Sequence, residues 1–192
     1  MARLKPEDTR QKIMDSAQRL FVERGYFNTV IPDIVRDSKI SIGSIYHHFS
    51  NKQDLAKALY EETLQSFTRE MHSCTDPLTD VKNKLYAMVQ FIYTLCEDSP
   101  IQMEYMLFVR HNEIFPEQVP ICLSEPFQAV EEWIEDGIAS GDVIPGQPLL
   151  LAGVFMGGIL KVVELKLRGV LKEPLPEVVD KTFTLAWRSI AK

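Results

Sequence analysis

Residues 41–47 bring together the side chains of this chain that are best suited to contact nucleic acid. The run holds the hydroxyls of Ser41 and Ser44, the phenol of Tyr46 and the imidazole of His47. Such groups hydrogen-bond to phosphates and base edges, and small residues let a backbone approach a DNA groove closely. The full set that we expect to contact DNA adds flanking hydroxyl and ammonium groups: Thr29, Ser41, Ile42, Gly43, Ser44, Tyr46, His47 and Lys52.

Apolar residues around this run predict the elements that must hold it. Ile31 and Ile34 are spaced for one face of a short helix, and Ile45 and Phe49 for one face of a second. Thr29 stands where the first of these helices needs an N-cap. Two short helices that bury one side and expose small polar groups on the other predict a helix-turn-helix.

A third helix is expected to follow directly. Asn51, with Asp54 three residues later, is spaced to cap its start. Lys52 falls in the first turn, where the helix dipole disfavours a cation. A DNA phosphate near Lys52 would offset that cost.

At these positions the chain resembles the TetR/AcrR (tetracycline-repressor-type) family of transcriptional regulators. The resemblance implies a DNA-binding head, a homodimer formed by the last two helices, and a body that binds a small-molecule effector. It lies within the first 55 residues and is specific as a set. The matching residues are Thr9, Lys12, Ile13, Ala17, Leu20, Phe21, Gly25, Thr29, Ile34, Ser41, Gly43, Tyr46, His48, Phe49, Lys52 and Leu55.

The turn between the two short helices departs from the family pattern. The family usually carries a glycine where this chain has Lys39. A non-glycine residue with positive φ is strained by about 1 kcal/mol or more. Pro32 is compatible with the pattern, because backbone donors in a first helical turn are unpaired in any case.

Other combinations of reactive side chains are poorly arranged for chemistry. His47 and His48 are adjacent, so they point about 100° apart on a helix, and no carboxylate or thiol stands at ligand spacing. Cys96 and His111 could form a nucleophile and its base, but no orienting third group accompanies them. Phosphate-binding glycine motifs are missing. We therefore expect no metal, no cofactor and no catalytic residue.

Composition and length are those of an ordinary globular chain of one or two domains. The 192 residues are 45% apolar and 25% charged. The N-terminus has no apolar stretch typical of a signal peptide. The longest apolar run, residues 149–160, is too short to span a bilayer. Three cysteines, an odd number at wide spacing, suggest neither a disulfide framework nor a zinc site, so we expect a cytoplasmic protein with no membrane partner.

The net charge of −6 is unevenly distributed. Residues 1–55 contain nine Lys or Arg and seven Asp or Glu, whereas residues 56–192 contain twelve and twenty. A mildly basic head on an acidic body would turn the head towards DNA. The excess of two positive charges predicts weak non-specific binding.

Turn and cap signals divide the rest of the chain into helices. We predict an all-α fold of about nine helices, with a helix-turn-helix domain at residues 1–51 and a helical effector-binding and dimerisation domain at residues 52–192. Pro116 and Pro120 predict a loop. The predicted helices outside the helix-turn-helix are 7–24, 52–71, 77–97, 100–112, 124–140, 147–168 and 176–191.

The last two helices are the candidates for a homodimer interface. Small glycines on the first would let a second helix approach, and apolar residues form a stripe on the second. Spacing alone leaves equally open that these residues pack within one subunit, and the family resemblance favours the dimer. The proposed interface residues are Leu150, Val154, Gly157, Leu165, Val179, Phe183, Trp187 and Ile190.

The middle helices are rich in methionine and phenylalanine, which can line an adaptable apolar cavity. An ordinary helix-bundle core would have the same composition, and the resemblance favours an effector pocket. Tyr93, Tyr105, Arg110, His111 and Glu113 are candidates for its polar edge. The predicted ligand-binding residues are Phe67, Met71, Met88, Phe91, Ile92, Leu95, Met103, Met106, Leu107, His111, Phe127 and Phe155.

Together these features predict a ligand-responsive, one-component transcriptional repressor. It would bind a palindromic double-stranded operator as a homodimer and be released by a small, largely apolar effector. Two alternatives stay open from sequence: a helical small-molecule-binding module that does not recognise an operator, and an enzyme of helical-bundle type. Operator-specific binding would separate the first hypothesis from both alternatives.

Overall fold

The computed structural model describes residues 5–109, 111–115 and 124–192. Ten helices lie in these segments, one of them a single turn, which confirms an all-α chain of about nine helices. Arg110, Pro116, Pro120 and Cys122 lie outside the described residues. The helices are α1 (Pro6–Arg24), α2 (Ile31–Ser38), α3 (Ile42–His48), α4 (Lys52–Thr75), α5 (Val81–Asp98), α6 (Pro100–Phe108), α7 (His111–Ile114), α8 (Glu125–Ser140), α9 (Pro148–Leu167) and α10 (Leu175–Arg188).

The chain divides into two compact units. The first comprises Met1–Gln65 and Ile101–Gln118, and the second Ser66–Pro100 and Val119–Lys192. Helix α4 contributes residues to both units. The sequence-based boundary at residue 51 concerns the DNA-binding part alone and stays a prediction.

The core of the first unit holds the helix-turn-helix in place. Ile13, Ala17 and Phe21 on α1 are buried against Ile34 of α2 and Ile45 of α3. Their spacing of three or four residues places them on one side of each helix. Further core residues come from α4, α6 and the α7 region: Leu55, Ala56, Leu59, Tyr60, Tyr105, Ile114 and Phe115.

The second unit is a bundle in which α5 packs against α8, α9 and α10. Phe155 of α9 is fully buried, and its ring centre lies 6.0 Å from that of Phe183 on α10. Tyr86 of α5 contacts the same Phe183 ring edge to face at 5.0 Å and donates a hydrogen bond to Asp180 at 2.6 Å. The bundle therefore closes around the inward stripe of α10.

The predicted start of α5 at residue 77 was wrong. The helix begins at Val81, and the Asp80 side chain caps it by accepting the Asn83 N–H at 2.9 Å. Asp76, the predicted cap, instead lies 2.9 Å from the His72 ring. Asp76 and Asp80 could each cap a helix in this region, and Asp80 forms the cap. The predicted end of α8 was right, since Gly141 follows it with φ 86°.

Helix α9 is longer than the apolar run that sequence inspection singled out. Its 20 residues are long and apolar enough to cross a membrane by length and composition. Core helices meet the same criterion, but only 28% of the apolar window is buried in this structure. The helix is therefore longer than the apolar run indicated, and much of its apolar surface is exposed in the subunit.

Candidate nucleic-acid interface

Helix α3 has one buried side and one exposed side, as its spacing predicted. Ile45 is fully buried and Phe49, just after the helix, is nearly so. On the other side Ile42 is 49% exposed and Tyr46 52% exposed. Gly43 and His47 are exposed as well, and Ser44 is half-buried. The predicted outward group thus lies together on one surface.

Two residues shape the start of α3. The Ser41 hydroxyl accepts the N–H of Ser44 at 3.2 Å, so Ser41 is the N-cap, and its O–H stays available as a donor. Gly43 has open space where a Cβ would lie and does not have a positive φ. A helical glycine is less stable than alanine by about 1 kcal/mol. Neither packing nor backbone conformation in the subunit requires a glycine at residue 43.

The turn between α2 and α3 has the strained conformation anticipated from the missing glycine. Lys39 is left-handed, with φ 61° and ψ 21°, and its N–H donates to the Val35 carbonyl at 3.1 Å. Ser38 supports the turn by accepting the Ile40 N–H at 3.2 Å. Lys39 is not among the DNA-contacting residues predicted from the sequence, and it is a lysine at a position that favours glycine.

Thr29 does not have the role predicted for it. The N-cap of α2 is Val30, and Thr29 is fully buried. Its hydroxyl donates towards the carbonyls of Gly25 at 2.9 Å and Leu20 at 3.3 Å. Val30, one residue later and in an extended conformation, begins the helix. The hydrogen bonds of Thr29 instead connect the α1–α2 loop to α1. Because the Thr29 side chain is fully buried, it is not available to contact DNA.

Lys52 also differs from its prediction. Its ammonium donates to the carbonyls of Tyr26 and Thr29, both at 2.8 Å, and lies 4.0 Å from the centre of the Tyr26 ring. Burial lowers the pKa of this ammonium. Lys52 thus closes the α1–α2 loop instead of extending towards solvent, because two loop carbonyls lie within its reach.

The predicted cap of α4 is confirmed. The Asn51 side chain accepts the Asp54 N–H at 2.8 Å. The Asp54 carboxylate accepts the Ser50 N–H at 2.9 Å. These two bonds fix the chain between α3 and α4 and so hold the end of α3.

A cleft of about 560 Å³ opens beside α3. His47 is exposed there, and His48 is half-buried, as expected for the inner of the two imidazoles. Burial lowers the pKa of His48, and the neighbouring His47 and Arg10 lower it further. The residues that line the cleft are Pro6, Thr9, Lys39, Ile40, Ser41, Ser44, His47 and His48.

The twelve predicted ligand-binding residues are divided between the two units. Met103, Met106, Leu107 and His111 lie in the first unit, and their place in a ligand pocket stays a prediction. A cleft of about 260 Å³ in the first unit is lined by none of the twelve. The other eight belong to the second unit: Phe67, Met71, Met88, Phe91, Ile92, Leu95, Phe127 and Phe155.

The predicted dimer residues also separate into two groups. Leu150, at 63%, and Val154, at 58%, are exposed, and Gly157 is exposed beside them. Val179, Phe183 and Ile190 are buried within their own subunit, so their assignment to an interface was wrong. Leu165 and Trp187 are half-buried. Spacing identified the stripe on α10, but that stripe faces the bundle.

The positions of potential metal ligands and thiols in the described part of the chain bear on whether these groups could bind a metal or react. No group of three or more His, Cys, Asp or Glu is placed there to hold a metal ion. Cys96 is buried, and burial raises the pKa of its thiol to about 11. A thiol of that kind is a poor nucleophile at neutral pH.

Comparison with known proteins agrees with this geometry. Residues 13–59 match the family described as bacterial regulatory proteins, tetR family. The HTH-type transcriptional regulator HbdR of Aromatoleum is 33% identical over 79 residues, which cover 41% of this chain and 34% of that protein. The fatty acid metabolism regulator protein of Bacillus subtilis is 22% identical over 151 residues, 78% of each chain.

The fold is shared over nearly the whole length. The fatty acid degradation regulator FadR of Bacillus halodurans superposes with a TM-score of 0.81 at 20% identity, covering 97% of each chain. A TetR family transcription regulator of Marinobacter aquaeolei superposes with a TM-score of 0.76 at 18% identity, again over 97% of each chain. Residues 13–59 therefore match the helix-turn-helix DNA-binding domain of the tetR family, and the chain as a whole is similar in fold to TetR family transcription regulators.

Proposed function

We propose that the protein is a one-component transcriptional repressor that binds a palindromic operator as a homodimer and is released by a small, largely apolar effector. The observation that carries the proposal is the exposed side of α3. There Ile42, Tyr46 and His47 project from a helix whose opposite side is locked into the core. A rigid helix that presents small, hydroxyl and imidazole groups is suited to the major groove.

The residues of α3 divide by the part of DNA that they would contact. Ile42, Gly43 and Ser44 form the first turn and are the candidates for base edges. Tyr46 and His47 lie one turn later and, with Ser41, supply donors for bases or phosphates. The open space at Gly43 supports this division, since the subunit itself leaves room for a larger residue.

Homodimerisation is supported by the exposed side of α9. Gly153, Gly157 and Gly158 have open space where a Cβ would lie. Leu150 and Val154 stand on the same exposed helix surface. Glycine with apolar neighbours is the composition that lets two helices pack closely. A twofold axis through α9 would present two copies of α3 to the two half-sites of a palindrome.

A second copy of the chain explains α9 better than a lipid bilayer does. The buried side of the helix packs into the bundle through Phe155, Ile159 and Val163. Near its end, Glu164 accepts hydrogen bonds from Lys161 and Arg168, both at 2.8 Å. A helix committed to a bundle on one side and charged at one end is suited to a protein partner.

The effector would bind among the soft apolar side chains of the second unit. Met71, Met88 and Phe155 are buried there, and the rings of Phe67 and Phe91 lie 4.9 Å apart. Methionine adapts to irregular shapes at low energetic cost. Two similar proteins are named for fatty acid metabolism or degradation. Fatty acids and their acyl derivatives are therefore the effector class to test first.

Coupling between effector and DNA would follow from a population shift. An effector that binds one conformation of the dimer more tightly stabilises it, and the operator binds the other. Helix α4 belongs to both units and is 24 residues long, so it is the candidate element to transmit the change.

Fluorescence anisotropy with DNA from upstream of the protein's own gene tests the proposal. We expect salt-sensitive binding to this DNA that is at least about a thousandfold tighter than binding to a scrambled duplex. Adding a fatty acid or acyl derivative should weaken it. Equal, weak binding to both duplexes, together with tight binding of an apolar ligand, would favour the alternative of a ligand-binding module.

A further inference from the structure

Lys39 has an unusual conformation for its residue type. Among the described residues it is the one non-glycine with positive φ. A side chain in the left-handed region is strained, and glycine at the same position would be free of that strain. Strained residues of this kind cluster at functional sites.

The side chain of Lys39 has no structural role that would explain the strain. It is exposed, and in the segments that the structure describes no carboxylate forms an ion pair with its ammonium. Asp37, two residues earlier, is bridged to Arg19. The pKa of Asp37 is lowered by Ser16 and Arg19 and, more weakly, by Lys39. The turn itself needs only the backbone of residue 39.

The cleft beside α3 gives the Lys39 ammonium a possible ligand. Lys39 lines this cleft with the hydroxyls of Ser41 and Ser44 and the imidazole of His47. The eight lining residues include hydrogen-bond donors and a cation but no carboxylate. Such a set fits an anion, and the same cleft adjoins the exposed side of α3.

We propose that Lys39 binds a phosphate of the DNA backbone in this cleft, next to the bases contacted by α3. The inference rests on the proposed operator binding and adds a contact that a glycine in the turn could not make. A phosphate contact fixes the position of the protein but carries no base information. It therefore strengthens binding to every duplex by the same factor.

Three substitutions test the role of this ammonium. Lys39→Gln removes the charge and keeps the strain, Lys39→Gly removes both, and Lys39→Arg keeps the charge. Lys172→Gln, an exposed lysine of the second unit, is the matched control for loss of charge. The readouts are anisotropy titrations over a range of salt with two duplexes, one selected by the wild type from a random library and one scrambled, and thermal unfolding.

We expect Lys39→Gln and Lys39→Gly to weaken binding to both duplexes by the same factor, roughly three- to tenfold, and to lower the salt slope by about 0.9 per protomer. Lys39→Arg and Lys172→Gln should bind as the wild type does. The melting temperature of Lys39→Gly should equal or exceed that of the wild type, because the strain is relieved.

Three results would overturn the assignment. Unchanged affinity and slope in Lys39→Gln, while the wild type prefers its selected duplex, would refute the phosphate contact and leave the proposed function intact. Weakened binding to the selected duplex alone would indicate a base contact instead. A wild-type protein that enriches no duplex from the random library would refute both proposals.

Discussion

Helices α3 and α9 both expose apolar side chains, but the surroundings of these side chains differ. On α3, Ile42 and Tyr46 are interspersed with serine and histidine, and the helix has only seven residues. On α9, Leu150 and Val154 are interspersed with glycines over a much longer helix. The mixed surface of α3 suits the hydrogen-bonding groups of a DNA groove, whereas the glycine-rich surface of α9 suits another helix.

This difference separates two kinds of exposed residue that composition alone does not distinguish. Substitutions on α9 should break assembly and, through it, DNA binding. Substitutions on α3 should break DNA binding alone. The following predictions test that separation.

The largest effect is expected from Val154→Lys. A twofold axis would bury two unpaired ammonium groups close together, so the dimer dissociation constant should rise roughly a thousandfold or more. Sedimentation velocity measures this directly. Val170→Lys makes the same change at an exposed residue after α9 and should leave the dimer intact. A Val154→Lys protein that stays dimeric would show that α9 is not the interface.

The next largest effect is expected from Tyr46→Ala. Tyr46 is exposed, so the melting temperature should stay within about 1 °C of the wild-type value, while operator affinity falls at least about tenfold. Anisotropy and sedimentation together separate affinity from assembly. Phe27→Ala removes another exposed aromatic residue of the first unit and is the control. A large loss of stability in Tyr46→Ala would instead assign Tyr46 to the core.

A smaller effect is expected from Lys52→Met. This change removes two hydrogen bonds to loop carbonyls, so the free energy of unfolding should fall by about 1–2 kcal/mol. Urea denaturation measures the change. Lys57→Met, on the exposed side of the same helix, should have little effect. Full stability with weakened DNA binding would return Lys52 to the phosphate role that its position in the sequence suggested.

The smallest effect concerns the pH dependence of stability. The Nε2–H of His111 donates to the Tyr105 carbonyl at 2.8 Å, and the imidazole packs against Tyr60 at 4.4 Å. Burial lowers the pKa of His111 below its ordinary value of 6.5. The unfolded chain therefore takes up the proton first, and stability is lost as the pH falls below about 6.5.

His111→Phe should remove this component. Between pH 7.5 and pH 5.5 the wild type should lose more unfolding free energy than the variant does. His72, whose pKa is raised by Asp76 and Glu125, acts in the opposite direction but is present in both proteins. Equal pH dependence of the two proteins in urea denaturation would contradict the burial of a neutral His111.

The features that sequence predicted well depend on local rules. The spacing of Ile34, Ile45 and Phe49 determined which side of the two short helices is buried, and hence that Tyr46 is exposed. The departure from the family's glycine at residue 39 indicated that the turn would be strained if φ were positive, and φ is 61°. The first inference needed only neighbouring residues and the geometry of a helix, and the second needed the family pattern and the geometry of a turn.

The errors arose where a side chain has two possible partners at a distance in sequence. The stripe of Val179, Phe183 and Ile190 is apolar whether it faces its own bundle or a second subunit, and only the packing around Tyr86 and Phe155 decides. Lys52 likewise could reach a phosphate or a loop carbonyl 23 residues away along the chain. Periodicity identifies a face but does not identify what covers it.

The central claim is that two copies of α3 recognise a palindrome, and selection of duplexes from a random library tests it most directly. Sequencing the DNA retained by the wild type should reveal two inverted half-sites about one helical turn apart or slightly more. The Tyr46→Ala protein should enrich this sequence less than the wild type does, in line with its expected loss of affinity. Enrichment of a single half-site, or identical enrichment by both proteins, would contradict the account.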